Sequence, residues 1–380
     1  MSYLLVNRSV RSAAFAVGLA LLLLPIVGCG GNNPPQTDVS AEPPQKLSEF
    51  GLFTGNGASQ TPVEGVIPYD LNSPLFSDYT DKYRFVKLPA GQSAKYNATD
   101  SFEFPVGTVI SKTFAYPVDA RDPAKGRRLL ETRILRHEAD GWIGYPYIWN
   151  EEQTEAVLDV AGGTINAHWI QADGAERTNS YIIPNSNQCK GCHKQGELML
   201  PIGPKARNLN RDFAYASGSE NQLTHWTRVG ALSGAPAPAE APRLADWDDP
   251  HTGTLDERAR AWLEINCAHC HNPAGPARNS GLDLMASQTN PTAYGIRKSP
   301  VAAGRGSGGM RVDIAPGHPE ESILPFRVGS TDAGIMMPEL GKRMIHTEGL
   351  ALINEWIRAM PEGEGQTPAA ANPAPAPGGH

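Results

Sequence analysis

The sequence contains little cysteine, a modest share of charged residues and no basic run. Only 5 cysteines occur among 380 residues, too few for a small scaffold held together by disulfide bonds. Charged residues make up 19% of the chain, a composition unlike that of a coiled coil. The net charge is -7, and without a lysine- or arginine-rich segment the chain has nothing to neutralise a row of phosphates. We therefore expect no nucleic-acid partner.

Glycine and proline, by contrast, are abundant, at 39 and 33 residues. This composition is typical of a loop-rich globular protein rather than of a fibre. At roughly 150 residues per domain, the length favours two or three domains.

The first segment has the features of a bacterial export signal. Arg8 and Arg11 precede an apolar stretch over residues 13–27, which is too short to cross a bilayer comfortably. We therefore predict a signal peptide over 1–28. A retained membrane helix and a plain secretory signal are the alternatives.

The apolar stretch ends in Ile26-Val27-Gly28-Cys29, which resembles the lipobox of bacterial lipoproteins. This resemblance implies that Cys29 receives a lipid and anchors the chain to a membrane. Gly30 follows it in place of the aspartate that favours inner-membrane retention, so the outer membrane is the expected location. Residues 29–45 are predicted to form a disordered polar tether.

Between residues 46 and 183 the pattern is typical of an antiparallel β-rich domain. Short β-branched or aromatic segments alternate polar and apolar residues, and turns with glycine or proline separate them. The predicted strands are 83–88, 101–104, 108–114 and 129–135.

From residue 184 onward the pattern changes to short helices joined by loops. Thr254 and Glu257 have capping-box spacing, so we predict a helix that begins there and runs into Cys267. A last helix is predicted over 347–360. The expected fold class is α+β and multidomain, with a mainly α region following the β-rich domain.

Two parts are expected within this region, joined by a hinge that is rich in alanine and proline. The predicted boundaries are 184–245 for the first part, 246–360 for the second and 361–380 for a disordered tail.

Four of the cysteines form two Cys-x-x-Cys-His motifs. They are Cys189-Lys190-Gly191-Cys192-His193 and Cys267-Ala268-His269-Cys270-His271. Two thiols about one helical turn apart can reach both vinyl groups on one porphyrin edge, and the histidine that follows can bind the iron. The sequence therefore predicts two covalently bound haem c groups, with His193 and His271 as iron ligands.

Three other uses of these cysteines are less consistent with the sequence. A zinc ribbon has its cysteine pairs roughly 15 to 20 residues apart, far closer than here. A thioredoxin-like redox pair belongs to a βαβ unit, which the pattern does not predict. Disulfide bonds within each motif would close loops too small to stabilise a fold.

The segment from about residue 254 to 360 resembles a class I cytochrome c domain. A helix leads into the second motif, a Gly/Pro-rich loop follows, and the step Met337-Pro338 precedes the terminal helix. The resemblance implies that Met337 is the sixth ligand of the second haem, which would raise its potential relative to two imidazoles. Rival candidates are Met336, Met310, Met344, His318 and His346.

The first motif is followed by no Met-Pro step. His225, on a helix predicted over 220–229, is the first candidate for the sixth ligand of this haem, and Met199 and His168 are further candidates. An open sixth position is the alternative, and it would permit ligand chemistry at the iron.

Most of the chain after residue 28 is similar to a group of exported bacterial proteins of undefined function. The similar stretches are 65–78, 201–210 and 336–341. These proteins pair a β-rich N-terminal domain with two Cys-x-x-Cys-His motifs, and the resemblance implies no particular substrate.

These features together predict a di-haem electron carrier that serves redox partner proteins and is lipid-anchored at the periplasmic side of the outer membrane. The cell surface and the inner membrane are alternative locations. A haem-dependent oxidoreductase or peroxidase with an open first haem is the second hypothesis. The third is a binding surface made of aromatic side chains, although alternating aromatics more often pack in a core. These aromatics are Trp142, Tyr145, Tyr147 and Trp149.

Overall fold

The computed structural model describes residues 42–362. The predicted signal peptide, Cys29 and most of the predicted tether and tail lie outside the described residues. Within 42–362, no helix combines the length and the apolar character that a bilayer crossing requires. Strands and bridges account for 27% of the described residues and helices of all kinds for 21%.

The N-terminal part is built on one antiparallel sheet. In chain order, the strands of this N-terminal part are β1 (Val66–Tyr69), β2 (Asp81–Lys87), β3 (Ala94–Lys95), β4 (Val109–Pro117), β5 (Arg127–Glu138), β6 (Gly141–Trp149), β7 (Ala156–Leu158), β8 (Gly163–Ile170) and β9 (Glu176–Ile183). Six strands pair in the order β1-β2-β4-β5-β6-β7, and β8 and β9 form a separate hairpin. The predicted β-rich character of this part is confirmed.

Both faces of the sheet are covered, because successive residues of a strand point to opposite sides. Phe85 and Tyr147 pack on one face with the chain that precedes β1. On the other face Tyr116 stacks on Trp169 of the β8–β9 hairpin, with ring centroids 3.9 Å apart. The aromatic surface proposed for β6 is wrong, since Trp142, Tyr147 and Trp149 are all buried.

The predicted strand over 101–104 is also wrong. Ser101 and Glu103 form only isolated bridges, to Lys205 and Lys95. The alternating aromatics that suggested a strand belong to an irregular segment whose Phe102 ring packs against helical residues in the core. Burial of a loop produced the same pattern as a half-buried strand.

The prediction that the region after residue 184 is mainly α is wrong. Its helices are α1 (Ser186–His193), α2 (Ala206–Leu209), α3 (Gln222–Arg228), α4 (Leu255–Leu263), α5 (Ile323–Val328) and α6 (Thr347–Arg358). Short strands accompany them: β10 (Lys194–Gln195), β11 (Leu198–Met199), β12 (Asp212–Tyr215), β13 (Gly218–Asn221) and β14 (Leu232–Ser233). Residues 269–322 contain turns and short 3-10 segments but no α-helix, because glycine and proline there disfavour helical backbone.

The described residues belong to one compact unit. β14 pairs in parallel with β3, and the Asn72 amide donates to the carbonyl oxygens of Arg207 and Leu244. These contacts join the N-terminal part to the region that follows it, and the domain boundaries at residues 183 and 245 stay predictions.

The two longest helices of this region occur where the sequence predicts them. At the start of α4, the Thr254 hydroxyl accepts from the Glu257 N–H at 3.3 Å, and the Glu257 carboxylate accepts from the Thr254 N–H at 2.8 Å. α6 packs on α4, and the Trp356 indole donates to Asp256 at 2.8 Å. This helix pair supports the second cysteine motif.

Candidate functional site

The second motif begins where α4 ends. Residues Glu264–Ala268 continue α4 as a π-helical segment, and the N–H groups of Cys270 and His271 donate to the Cys267 carbonyl at 3.1 and 2.9 Å. Cys267 is buried, and burial raises the pKa of its thiol to about 12. The helical turn thus holds both thiols and the histidine one turn apart.

The first motif is carried by α1, whose N-terminus is capped by the Asn185 side chain. Its first cysteine, Cys189, packs against the sheet at Gly144 of β6. A Cβ atom at Gly144 would lie 3.0 Å from the Cys189 sulfur, so this close approach requires glycine. Cys189 is partly buried, and burial raises the pKa of its thiol. The β-rich part therefore forms one wall of the first motif's surroundings.

Two cavities adjoin the motifs. The Met337 cavity, of about 370 Å³, is lined by Cys267, Cys270, His271 and Met337 together with apolar side chains. The His193 cavity, of about 280 Å³, is lined by residues that include His193, Leu200, His269 and Met285. Both volumes are of the order found for small-molecule sites.

In both motifs the Nδ1 atom of the final histidine has a hydrogen-bond partner. His193 Nδ1 lies 2.8 Å from the Leu200 carbonyl oxygen, which can only accept. His271 Nδ1 lies 3.0 Å from the Ser280 hydroxyl, whose own hydrogen is donated to the Ala277 carbonyl. Nδ1 therefore carries the proton in both rings, which leaves Nε2 with a free lone pair.

Both rings are also neutral near pH 7. Burial lowers the pKa of His193 and of His271 to about 4. A neutral imidazole whose Nδ1–H is held by an acceptor is the form that binds iron.

Hydrogen bonds of its backbone groups hold Met337 in position. Its N–H donates to the Arg327 carbonyl at 3.0 Å, and Lys342 Nζ donates to the carbonyl oxygens of Met337 and Val328 at 2.9 and 2.6 Å. Lys342 is only 4% exposed. These bonds fix the segment that brings the Met337 side chain into the wall of the cavity.

The β-rich part anchors the end of this segment through Asp78. The Asp78 carboxylate accepts from the N–H groups of Arg343 and Met344 at 2.7 and 2.8 Å. Its other oxygen accepts from the Asn179 side chain at 2.9 Å. Asp78 is 2% exposed, so these bonds are shielded from water.

The two motifs contact each other, although they are distant in the sequence. The sulfur atoms of Cys192 and Cys270 and a ring nitrogen of His269 all lie within 4.8 Å of one another. The Cys270 thiol donates to the Gly191 carbonyl of the first motif at 3.4 Å, and the closeness of the two thiols holds the pKa of Cys192 well below its usual value and raises that of Cys270. Gln195, just after the first motif, donates to the His269 carbonyl at 2.7 Å. Sequence separation therefore does not exclude a metal site shared by these cysteines.

His225 is brought to neither cavity. It lies on α3, stacked on Tyr215 with ring centroids 3.4 Å apart, and its Nδ1 contacts Glu220 at 2.8 Å. The hydrogen bonds of Arg228 and His225 lower the pKa of Glu220 to about 2. The ring is thus packed and hydrogen-bonded as a structural histidine.

The other predicted donors are also placed apart from the cavity linings. His168 is exposed, with Nε2 3.6 Å from Glu176. The Met199 methyl lies beside Gly144. None of the rivals to Met337 lines the Met337 cavity. The linings instead include two residues that the sequence interpretation missed, His269 and Met285.

The donors present fit a covalently attached haem at each motif. Thiols, a neutral imidazole with a free Nε2 and, at the second motif, a thioether are the groups that haem c requires. Met285 gave no sequence signal. His269 stands inside the second motif and could have been considered for that reason. Comparison of the chain with protein-family models, curated proteins and solved structures gives no match.

Proposed function

We propose that this chain is an electron-transfer protein of the di-haem c type, with one haem attached at each motif. The observation that carries the proposal is the shared arrangement of His193 and His271. Each ring has its Nδ1–H held by an acceptor, is neutral near pH 7 and lines a cavity, and His271 shares its cavity with both cysteines of its motif.

The cysteine thiols would hold each haem covalently. Each S–H adds across one vinyl C=C bond, so that sulfur bonds to one vinyl carbon and the hydrogen goes to the other. No leaving group or oxidant is needed. Bound haem supplies one-electron exchange between ferric and ferrous iron.

The residues around the second motif would then set the redox potential. His271 offers an imidazole and Met337 a thioether, a pair that stabilises ferrous iron relative to two imidazoles. Apolar side chains of the Met337 cavity, such as Leu282, Leu284 and Val328, exclude water and disfavour the additional charge of ferric iron.

The proposed location follows from the sequence alone. Export, lipidation at Cys29 and anchoring to the periplasmic side of the outer membrane would place the chain where c-type haem is attached and where redox partner proteins meet it.

Mass spectrometry of protein matured in a host that has c-type haem assembly tests the proposal. We expect the added mass of two haems per chain. Changing Cys189 and Cys192 to alanine should remove one haem, and changing Cys267 and Cys270 should remove the other, so each variant is the control for its counterpart. Absence of added haem in the unaltered protein would overturn the proposal.

A second candidate rests on the cluster of Cys192, His269 and Cys270. Two thiolates and one imidazole form a ligand set that zinc accepts, with a fourth position left open. Under this alternative the protein carries zinc, measurable by elemental analysis, and no porphyrin. The same mass measurement separates the two candidates, since thioether formation consumes both thiols.

A further inference from the structure

His269 is buried between the two motifs. It is 7% exposed, and it lines both the Met337 cavity and the His193 cavity. Its Nδ1 atom has no hydrogen-bond partner among the described residues. An unpaired buried ring nitrogen costs free energy of folding, because it has given up its hydrogen bonds to water without gaining a partner in the protein.

The helical turn of the second motif places His269 on a different side of the helix from Cys267 and His271. The backbone stays helical here, with the His271 N–H bonded to the Cys267 carbonyl at 2.9 Å. At 3.6 residues per turn, His271 lies about 40° from Cys267 around the helix, whereas His269 lies about 160° away. The ring therefore faces the side on which the first motif packs.

Haem attachment would leave His269 with still fewer partners. A ring nitrogen of His269 now lies within 4.8 Å of the Cys192 and Cys270 sulfur atoms. Once Cys192 becomes a thioether, its sulfur is only a weak acceptor. Both ring nitrogens of a side chain that is more than nine-tenths buried would then lack a strong partner.

We propose that His269 is the sixth ligand of the haem attached at Cys189 and Cys192. The inference rests on the proposed function. His193 and His269, which line the same cavity although they belong to different motifs, would together hold this iron. The first haem is then bis-imidazole and lower in potential than the second, which has Met337. With its sixth position filled, the first haem does not act as an open peroxidase site.

The variant His269→Ala, matured with haem and compared with His225→Gln, tests this assignment. We expect two low-spin haems in the unaltered protein by electron paramagnetic resonance. In His269→Ala, one of the two should become high-spin and the ferrous protein should bind one carbon monoxide per chain. Added imidazole should restore the low-spin signal. His225→Gln should leave the spectrum unchanged.

Several results would overturn the assignment. The first is a His269→Ala protein in which both haems are still low-spin. The second is an unaltered protein in which one haem is already high-spin. The third is a change of one haem to high spin in Met285→Leu and not in His269→Ala. If His269→Ala fails to mature, His269→Met replaces it, with a second thioether charge-transfer band expected and an unchanged spectrum counting against the assignment. The haem count by mass is measured separately, so failure of the proposed function is distinguishable.

Discussion

Asp78→Asn tests whether the β-rich part positions the Met337 segment. Asparagine has nearly the same shape, and it tolerates the left-handed backbone of this residue, whose φ is 51°. One amide oxygen can still accept from the N–H groups of Arg343 and Met344. The amide nitrogen, however, would face the Asn179 side-chain nitrogen, which now donates to Asp78 at 2.9 Å.

The magnitude follows from these three bonds. Two bonds lose the assistance of a negative charge, at about 1 kcal/mol each, and the third becomes a contact between buried donors, at about 1 to 3 kcal/mol. The expected loss in the free energy of unfolding is therefore about 3 to 5 kcal/mol, a large part of the stability of a typical domain.

Denaturant unfolding of Asp78→Asn and the unaltered protein, both loaded with haem, measures this loss. Asp140→Asn is the matched control, because Asp140 is exposed on the turn before β6 and should change stability by less than about 0.5 kcal/mol. The charge-transfer band of thioether-ligated ferric haem should weaken in Asp78→Asn alone. A loss of less than about 1 kcal/mol together with an unchanged band would refute the anchoring role.

Three further predictions concern other positions. In Gly144→Val, the new side chain collides with Cys189, so one haem instead of two is expected by mass, and two haems would contradict the close packing. Lys342→Met leaves buried carbonyls unpaired, including that of Met337, so the free energy of unfolding should fall by about 1 to 3 kcal/mol; an unchanged denaturation midpoint would contradict this. Burial lowers the pKa of His346 to about 4, below its unfolded value of about 6.5, so the unfolded chain takes up the proton first and stability rises between pH 4 and 6.5. His346→Gln should lose up to about 3 kcal/mol of that rise, and parallel pH profiles of unfolding would argue against it.

Local patterns predicted local structure well. The capping box at Thr254, the spacing within α6 and the alternation in β4 and β5 all depend on residues a few positions apart. The cysteine motifs belong to the same group, since one helical turn is enough to define them.

Local patterns could not predict which residues that are distant in the sequence lie close together in the fold. His225 has the residue type of a ligand, but Tyr215 and Glu220 hold it elsewhere in the fold. The same reasoning that set zinc aside on spacing could not foresee that Cys192 and Cys270 meet in the folded chain. The prediction of a mainly α region was extrapolated from the two helices α4 and α6 to residues 269–322. The glycines and prolines of that segment disfavour helical backbone.

The narrow gap at Gly144 and the buried carboxylate of Asp78 have a consequence for engineering. The region that carries the cysteine motifs should not keep its structure when it is excised and grafted onto another scaffold. Without the β-rich part, Cys189 would lose its packing against Gly144, and the segment after Met337 would lose its hydrogen bonds to Asp78. Shortening this protein should therefore begin at its surface loops, with the two halves kept together.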